Sequence, residues 1–256
     1  MKLLVKLAAV ATMALSANSA DAATCIGVCG VLPANGDVPA PPSGSATYEF
    51  VTTAGGVTGA GQITGVGGTN GSQLTTDTFS AAAGDPLNLF FNYVTSDGAG
   101  FSDYAFAELL TGDNSSLGFL FTARTASSGN TSPGNGLPNN ISTLTPGTSA
   151  IQNGTTWAGL AESSGGCFST GCGNTGWIQS TYNFGAAGQY KIRFGTTNVI
   201  DTVAQSGLAF SGLSVAGAPV GAVPEPTTWV LMLMGMAGVG FSMRRKTNQT
   251  MRVRFA

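Results

Sequence analysis

Charged side chains are scarce in this 256-residue chain, so the few that lie close together draw attention first. Asp97, Asp103 and Glu108 are near neighbours around the turn that contains Gly98 and Gly100. Two carboxyl groups held at a suitable separation perform general acid–base chemistry, as in glycoside hydrolysis. Spacing in sequence fixes no such separation, and each residue has a simpler reading. Asp97-Gly98 is ordinary turn chemistry, Asp103 can cap the segment that follows it, and Glu108 fits a solvated strand position. Asp97, Asp103 and Asp201, together with loop carbonyls, also offer the hard oxygen donors of a weak calcium site of the kind extracellular modules carry. Surface Asp in turns is common, so this is a candidate metal set and not a signature. Trp157, Trp177 and Tyr182 would supply flat faces for glycan binding. Large aromatics are mostly buried, however, which favours a core or sheet-edge role for the two tryptophans.

Other chemistry is excluded more firmly. With no histidine there is no Ser-His-Asp or Cys-His machinery. The glycines between Gly55 and Gly71 lack the lysine and the strand-to-helix setting of a phosphate-binding loop. No catalytic set is expected, and the chain reads as a non-enzyme. Four cysteines, Cys25, Cys29, Cys167 and Cys172, remain. Four can pair in three ways, of which two local loops, Cys25 to Cys29 and Cys167 to Cys172, are the simplest. Zinc is the competing use of such spacings, but the missing histidines and an oxidising compartment favour disulfides. A bridge from Cys167 to Cys172 would pin the Gly-rich stretch from Gly165 to Gly176.

Strands must position these residues, because no amphipathic helix is legible before the tail. Leu87, Leu89, Phe91 and Tyr93 alternate with Asn88 and Asn92. The pattern recurs at Leu117, Phe119, Phe121 and Ala123, and again at Tyr190, Ile192 and Phe194, with Lys191 and Arg193 turned outward. Period two with polar alternates marks half-buried antiparallel strands. Leu208 and Phe210 continue it, but Leu213 and Val215 fall on the other parity, which predicts a bulge at Gly212. Residues 126–148 read as a long loop, and Cys29 to Ser45 as an irregular Pro- and Gly-rich lead-in. Glycine, at 38 residues, fits a chain of many turns and short strands. The expected fold is all-β, an antiparallel β-sandwich of jelly-roll type. Between Ala23 and Val223 ten acids face three bases, a net charge of −7. Nucleic acid is a poor partner for such a surface, and so is anionic lipid.

The termini read as addresses. Lys2 and Lys6 precede the apolar run Leu7 to Leu15, and Ala20-Asp21-Ala22 offers the small-x-small pattern cut by signal peptidase, so residues 1–22 read as a signal peptide. Ala22-Ala23-Thr24-Cys25 lacks the residues expected before a lipidated cysteine. At the other end, residues 227–243 carry no charge and would span roughly 25 Å as a helix, a short but possible span of an apolar core of about 30 Å. Pro224 and Pro226 belong before such a helix, Trp229 at its outer interface, and Arg244, Arg245 and Lys246 on the cytoplasmic side.

Pro224-Glu225-Pro226, Trp229, the Met/Leu/Gly-rich run and Arg244-Arg245-Lys246 resemble the PEP-CTERM sorting signal, in the variant with Trp three residues after the motif. The resemblance implies an exported protein of a Gram-negative, exopolysaccharide-producing bacterium. It also implies recognition by exosortase, a membrane-embedded cysteine transpeptidase, with transient inner-membrane anchoring before delivery to the outer surface or matrix. Tails of this family usually stop soon after the arginines, whereas this chain continues to Ala256. The stretch from Gly188 to Phe210 is similar to the closing strands of PEP-CTERM exported sandwiches that resemble carbohydrate-binding modules, which usually carry an acid where Ser211 stands. The expected organisation is a signal peptide (1–22), an irregular lead-in (23–45), a β-sandwich (46–218), a linker with the Pro-Glu-Pro motif (219–226), a transmembrane helix (227–243) and a basic cytoplasmic tail (244–256). The expected function is that of a non-enzymatic surface or exopolysaccharide-matrix protein. A glycan-binding module is the alternative, and a secreted glycan hydrolase a more distant one.

Overall fold

The computed structural model describes residues 23–220 and the pair Gly235 and Met236. The expected signal peptide, the Pro-Glu-Pro motif, Trp229, the basic cluster and nearly all of the 227–243 segment lie outside the described residues. Among the described residues no helix is long and apolar enough to cross a membrane.

Seventeen strands form in chain order among the described residues. They are β1 (Thr24–Ile26), β2 (Val28–Pro33), β3 (Thr47–Thr52), β4 (Val57–Thr58), β5 (Asn70–Thr75), β6 (Phe79–Ala81), β7 (Pro86–Thr95), β8 (Tyr104–Thr111) and β9 (Ser116–Arg124). Then come β10 (Asn130–Ser132), β11 (Thr143–Thr145), β12 (Ser149–Ala150), β13 (Gly173–Asn174), β14 (Ile178–Asn183), β15 (Gly188–Thr197), β16 (Ser206–Val215) and β17 (Ala218–Pro219), with a short 3-10 helix at Ala158–Ser163. One sheet has the order β1-β5-β15-β8-β9, with β4 on β5 and β6 on β15. The other runs β11-β14-β7-β16-β3-β2, with β13 on β7 and β17 on β16, and β10 pairs with β12 apart from both. Every pairing between these strands is antiparallel. The chain changes sheet between β1 and β2, β3 and β4, β6 and β7, β7 and β8, β14 and β15, and β15 and β16. The two sheets are thus interleaved in sequence and share one core.

That core is built from the alternating residues. Leu87, Leu89, Phe91 and Tyr93 of β7, Ile192 and Phe194 of β15, and Leu208 and Phe210 of β16 are buried together, and Phe194 stacks on Phe210 at 3.8 Å between ring centroids. Each such side chain contributes about 1.5 to 3 kcal/mol by leaving water. The register of β16 against β7 slips between Ser211 and Ser214, and Gly212 has a φ of 67°, so the bulge expected there forms. A second slip was not legible. β8 pairs Ala107 with Phe121 but Glu108 with Phe119, which leaves Leu120 as the extra residue. Phe121 and Ala123 therefore face the core, while Phe119 turns to the opposite face against Phe106 and Leu117 is exposed.

Two further corrections concern irregular segments. The lead-in contributes β1 and β2, because β2 has a complete partner in β3 and β1 pairs with β5. The loop from 126 to 148 contains β10 and β11, of which β11 extends the second sheet beside β14. Both segments gain order from distant partners that local composition does not reveal.

Strand ends define two poles. At one, Thr95 faces Ser206, and Thr197 faces Tyr104. At the other, Leu87 faces Val215, and Tyr190 faces Thr111. β16 runs from the first pole to the second, so the chain leaves the sandwich toward its tail at the second.

Candidate functional site

The first pole gathers most of the polar residues singled out above. Asp103 enters β8 with its side chain fully buried. Its Oδ1 accepts from the backbone N–H of Val199 at 2.8 Å and its Oδ2 from the Ser206 hydroxyl at 2.7 Å. It caps no local segment; it ties the start of β8 to the loop between β15 and β16. Around it, Ser206 Oγ lies 2.7 Å from Thr95 Oγ1, and Tyr93 Oη lies 2.9 Å from Thr125 Oγ1, closing the mouth between the sheets with hydroxyls. Asp97 is also buried. Its Oδ1 accepts from the N–H of Gly98 at 2.6 Å, the turn chemistry its sequence suggests, whereas its Oδ2 is buried without a hydrogen-bond partner. Burial raises the Asp97 carboxyl to about 6; the Gly98 hydrogen bond opposes this and the Asp201 charge adds to it. Burial pushes Asp103 well above the carboxylate range, against its hydrogen bonds from Ser206 and Val199, while Asp97 and Asp201 reinforce the rise.

The loops are locked together at this pole. Phe168 N–H donates to Ser96 O at 2.9 Å and Ala99 N–H to Thr170 O at 3.0 Å, a short ladder between the β7–β8 loop and the loop closed by Cys167 and Cys172. Gly98 permits that approach, since a Cβ there would collide with Ser169 Oγ. The sulfurs join Cys25 to Cys29 and Cys167 to Cys172, with no free cysteine among the described residues. The first bridge connects β1 of one sheet to β2 of the other, a staple across the sandwich edge.

The candidate sets fare differently. Asp97, Asp103 and Asp201 come near enough to feel one another's charge. Yet among the described residues no group of three His, Cys, Asp or Glu side chains is placed to hold a metal. Asp201 Oδ1 is instead taken up by the N–H of Val203. Glu108 is not solvated: it pairs with Arg193, its cross-strand neighbour on β15, and is buried. Glu108 stands within β8 opposite Arg193, away from the strand ends where Asp97 and Asp103 lie. Of the aromatic candidates, Trp157 is wholly buried, with its indole N–H donating to Tyr48 Oη at 2.9 Å. It fills the outer layer over the second sheet with Val38, Val94 and Leu160, and cannot serve as a platform. Trp177 packs edge-on against Tyr48 and donates to Pro39 O, and Tyr182 packs edge-on against Phe184. Trp157 and Trp177 belong to one outer cluster, whereas Tyr182 packs against the core between the sheets.

The fold and its bridges thus define an antiparallel β-sandwich, stapled by two disulfides, with a polar loop pole. Residues 222–246 match the PEP-CTERM protein-sorting motif. That motif indicates export and names exosortase as the processing partner. No curated protein matches the chain. Among solved structures, the K1 cleaved adhesin domain of Lys-gingipain (Kgp) from Porphyromonas gingivalis W83 is similar at 10% identity with a TM-score of 0.34, over 75% of this chain and 89% of that one. So slight a likeness does not bear on function.

Proposed function

We propose that the protein is a non-enzymatic cargo of exosortase: a jelly-roll sandwich carried through the inner membrane by a signal peptide, held there by the 227–243 helix, and released to the outer surface or exopolysaccharide matrix, where it contributes structure or adhesion. The observation that carries this reading is the sorting motif at residues 222–246, directly after the sandwich ends at β17. The jelly-roll reading is supported by the strand orders β14-β7-β16-β3 and β5-β15-β8-β9, with the intervening connections crossing between sheets. The non-enzymatic reading is supported by the absence of histidine and by the ion pair that occupies Glu108.

The test is a chain in which Pro224, Glu225 and Pro226 are all replaced by Ala, expressed in a host that has exosortase. Intact mass and membrane fractionation should show the native chain shortened at its C-terminus and outside the inner membrane, with the variant full length and retained. Equal mass and equal location for the two chains would overturn the proposal.

A further inference from the structure

Phe168 is the one exposed aromatic side chain among the described residues, 62% open to solvent. It is also firmly held. Its own N–H is bonded to Ser96 O, the neighbouring Cys167 is bridged to Cys172, and Phe101 meets its ring edge-on at 5.4 Å. An aromatic ring fixed in this way and still open is a stacking surface whose ordering cost has already been met. Beside it lies a groove of about 240 Å³ lined by Ser96, Ser163, Gly166, Cys167 and Ala204. Through Ser163 and Ala204 this meets a second groove of about 470 Å³ that reaches Ala54 and Gly55.

The lining selects the ligand class. Neither groove is lined by a cation, and Glu162 borders the larger, so an anionic ligand is disfavoured. A protein partner would cover a far larger apolar area than one ring and the scattered tips Ile200 and Val203 offer. A neutral sugar fits: its C–H face stacks on the ring, and its hydroxyls reach Glu162 and Ser163 at the rim of the larger groove. The pole carrying Phe168 is also opposite the one near which the described chain ends before the sorting motif, so a protein held by its tail presents it outward. We propose that Phe168 is the stacking platform of a shallow site for a neutral glycan. The proposal rests on the reading of the protein as surface or matrix cargo for its biological setting, but not for its test.

The experiment is native affinity electrophoresis of the full chain in detergent, through gels containing neutral polysaccharides of the glucan, galactomannan and xylan classes, or anionic polygalacturonate. The chain should be retarded by at least one neutral polymer and not by polygalacturonate. Phe168→Ala should weaken that retardation about tenfold, and Phe168→Trp should retain it. The thermal midpoint of Phe168→Ala should stay close to native, which separates lost binding from lost folding. No retardation by any neutral polymer, retardation by the anionic polymer alone, or equal retardation of Phe168→Ala and the native chain would each overturn the site. Tail processing of Phe168→Ala, followed by mass, is expected to be unchanged, so this proposal and the sorting proposal fail separately.

Discussion

Asp97 buries a carboxyl group with one oxygen satisfied and the other not, and the consequence is a pH dependence of unusual sign. Its folded value of about 6 lies above the roughly 3.9 of an unfolded Asp. The folded state therefore holds this proton more tightly, and the associated stability is fully present below about pH 4 and lost as pH rises through 6. Asp103, shifted in the same direction, adds to the effect. Thermal unfolding of the full chain should show a midpoint that falls between pH 5 and pH 7.5, with Asp97 alone contributing about 1.4 kcal/mol of the fall. Asp97→Asn should lessen that fall. A midpoint that rises over the same interval in the native chain would refute the assignment. The turn role of Asp97 was legible from Asp-Gly alone. Its burial was not, because that depends on the 198–205 loop arriving from a hundred residues away to meet Asp103. Trp157, Trp177 and Tyr182 show the same limit: residue type suggested stacking faces, and only tertiary packing decides which faces are open. Phe168 was missed because a single Phe between Cys167 and Cys172 carries no periodic signal.

At the scale of elements, β7, β15 and β16 were readable because each is a ten-residue run whose alternate residues enter one core. The change of parity at Gly212 was readable for the same reason, since a single extra residue moves every later side chain to the other face. β1, β2, β10 and β11 were not, being short segments that hold strand geometry only against distant partners. Gly212 gives the sharpest test of this level. Its positive φ is costly for a branched residue, and a Cβ there would approach Ser43 Cβ to 2.6 Å. Gly212→Val should cost about 2 kcal/mol in urea unfolding. Gly185→Val, in a turn where a Cβ meets nothing within 4 Å, should cost much less. Equal costs for the two would mean that the bulge is not needed for the register of β16 against β7.

The whole molecule has a direction. β16 carries the chain from the loop pole to the exit pole, β17 turns back only to Pro219, and the sorting motif begins at residue 222. The described chain therefore ends near the β16–β17 turn, with Phe168, Ile200 and Val203 at the far end. The net charge of −7 on the exported part acts in the same sense, since it gives the sandwich no attraction for an anionic bilayer that would lay it flat. This polarity can be measured on the chain whose Pro224-Glu225-Pro226 is replaced by Ala, which should retain its tail. A short epitope inserted after Val203, at an exposed loop tip, should bind an antibody fragment on intact spheroplasts. The same epitope after Ala216 should bind it markedly less well on spheroplasts, yet equally well once the chain is extracted into detergent. If both sites bind equally on spheroplasts, the exit pole does not face the membrane, and the outward presentation of the Phe168 pole loses its support.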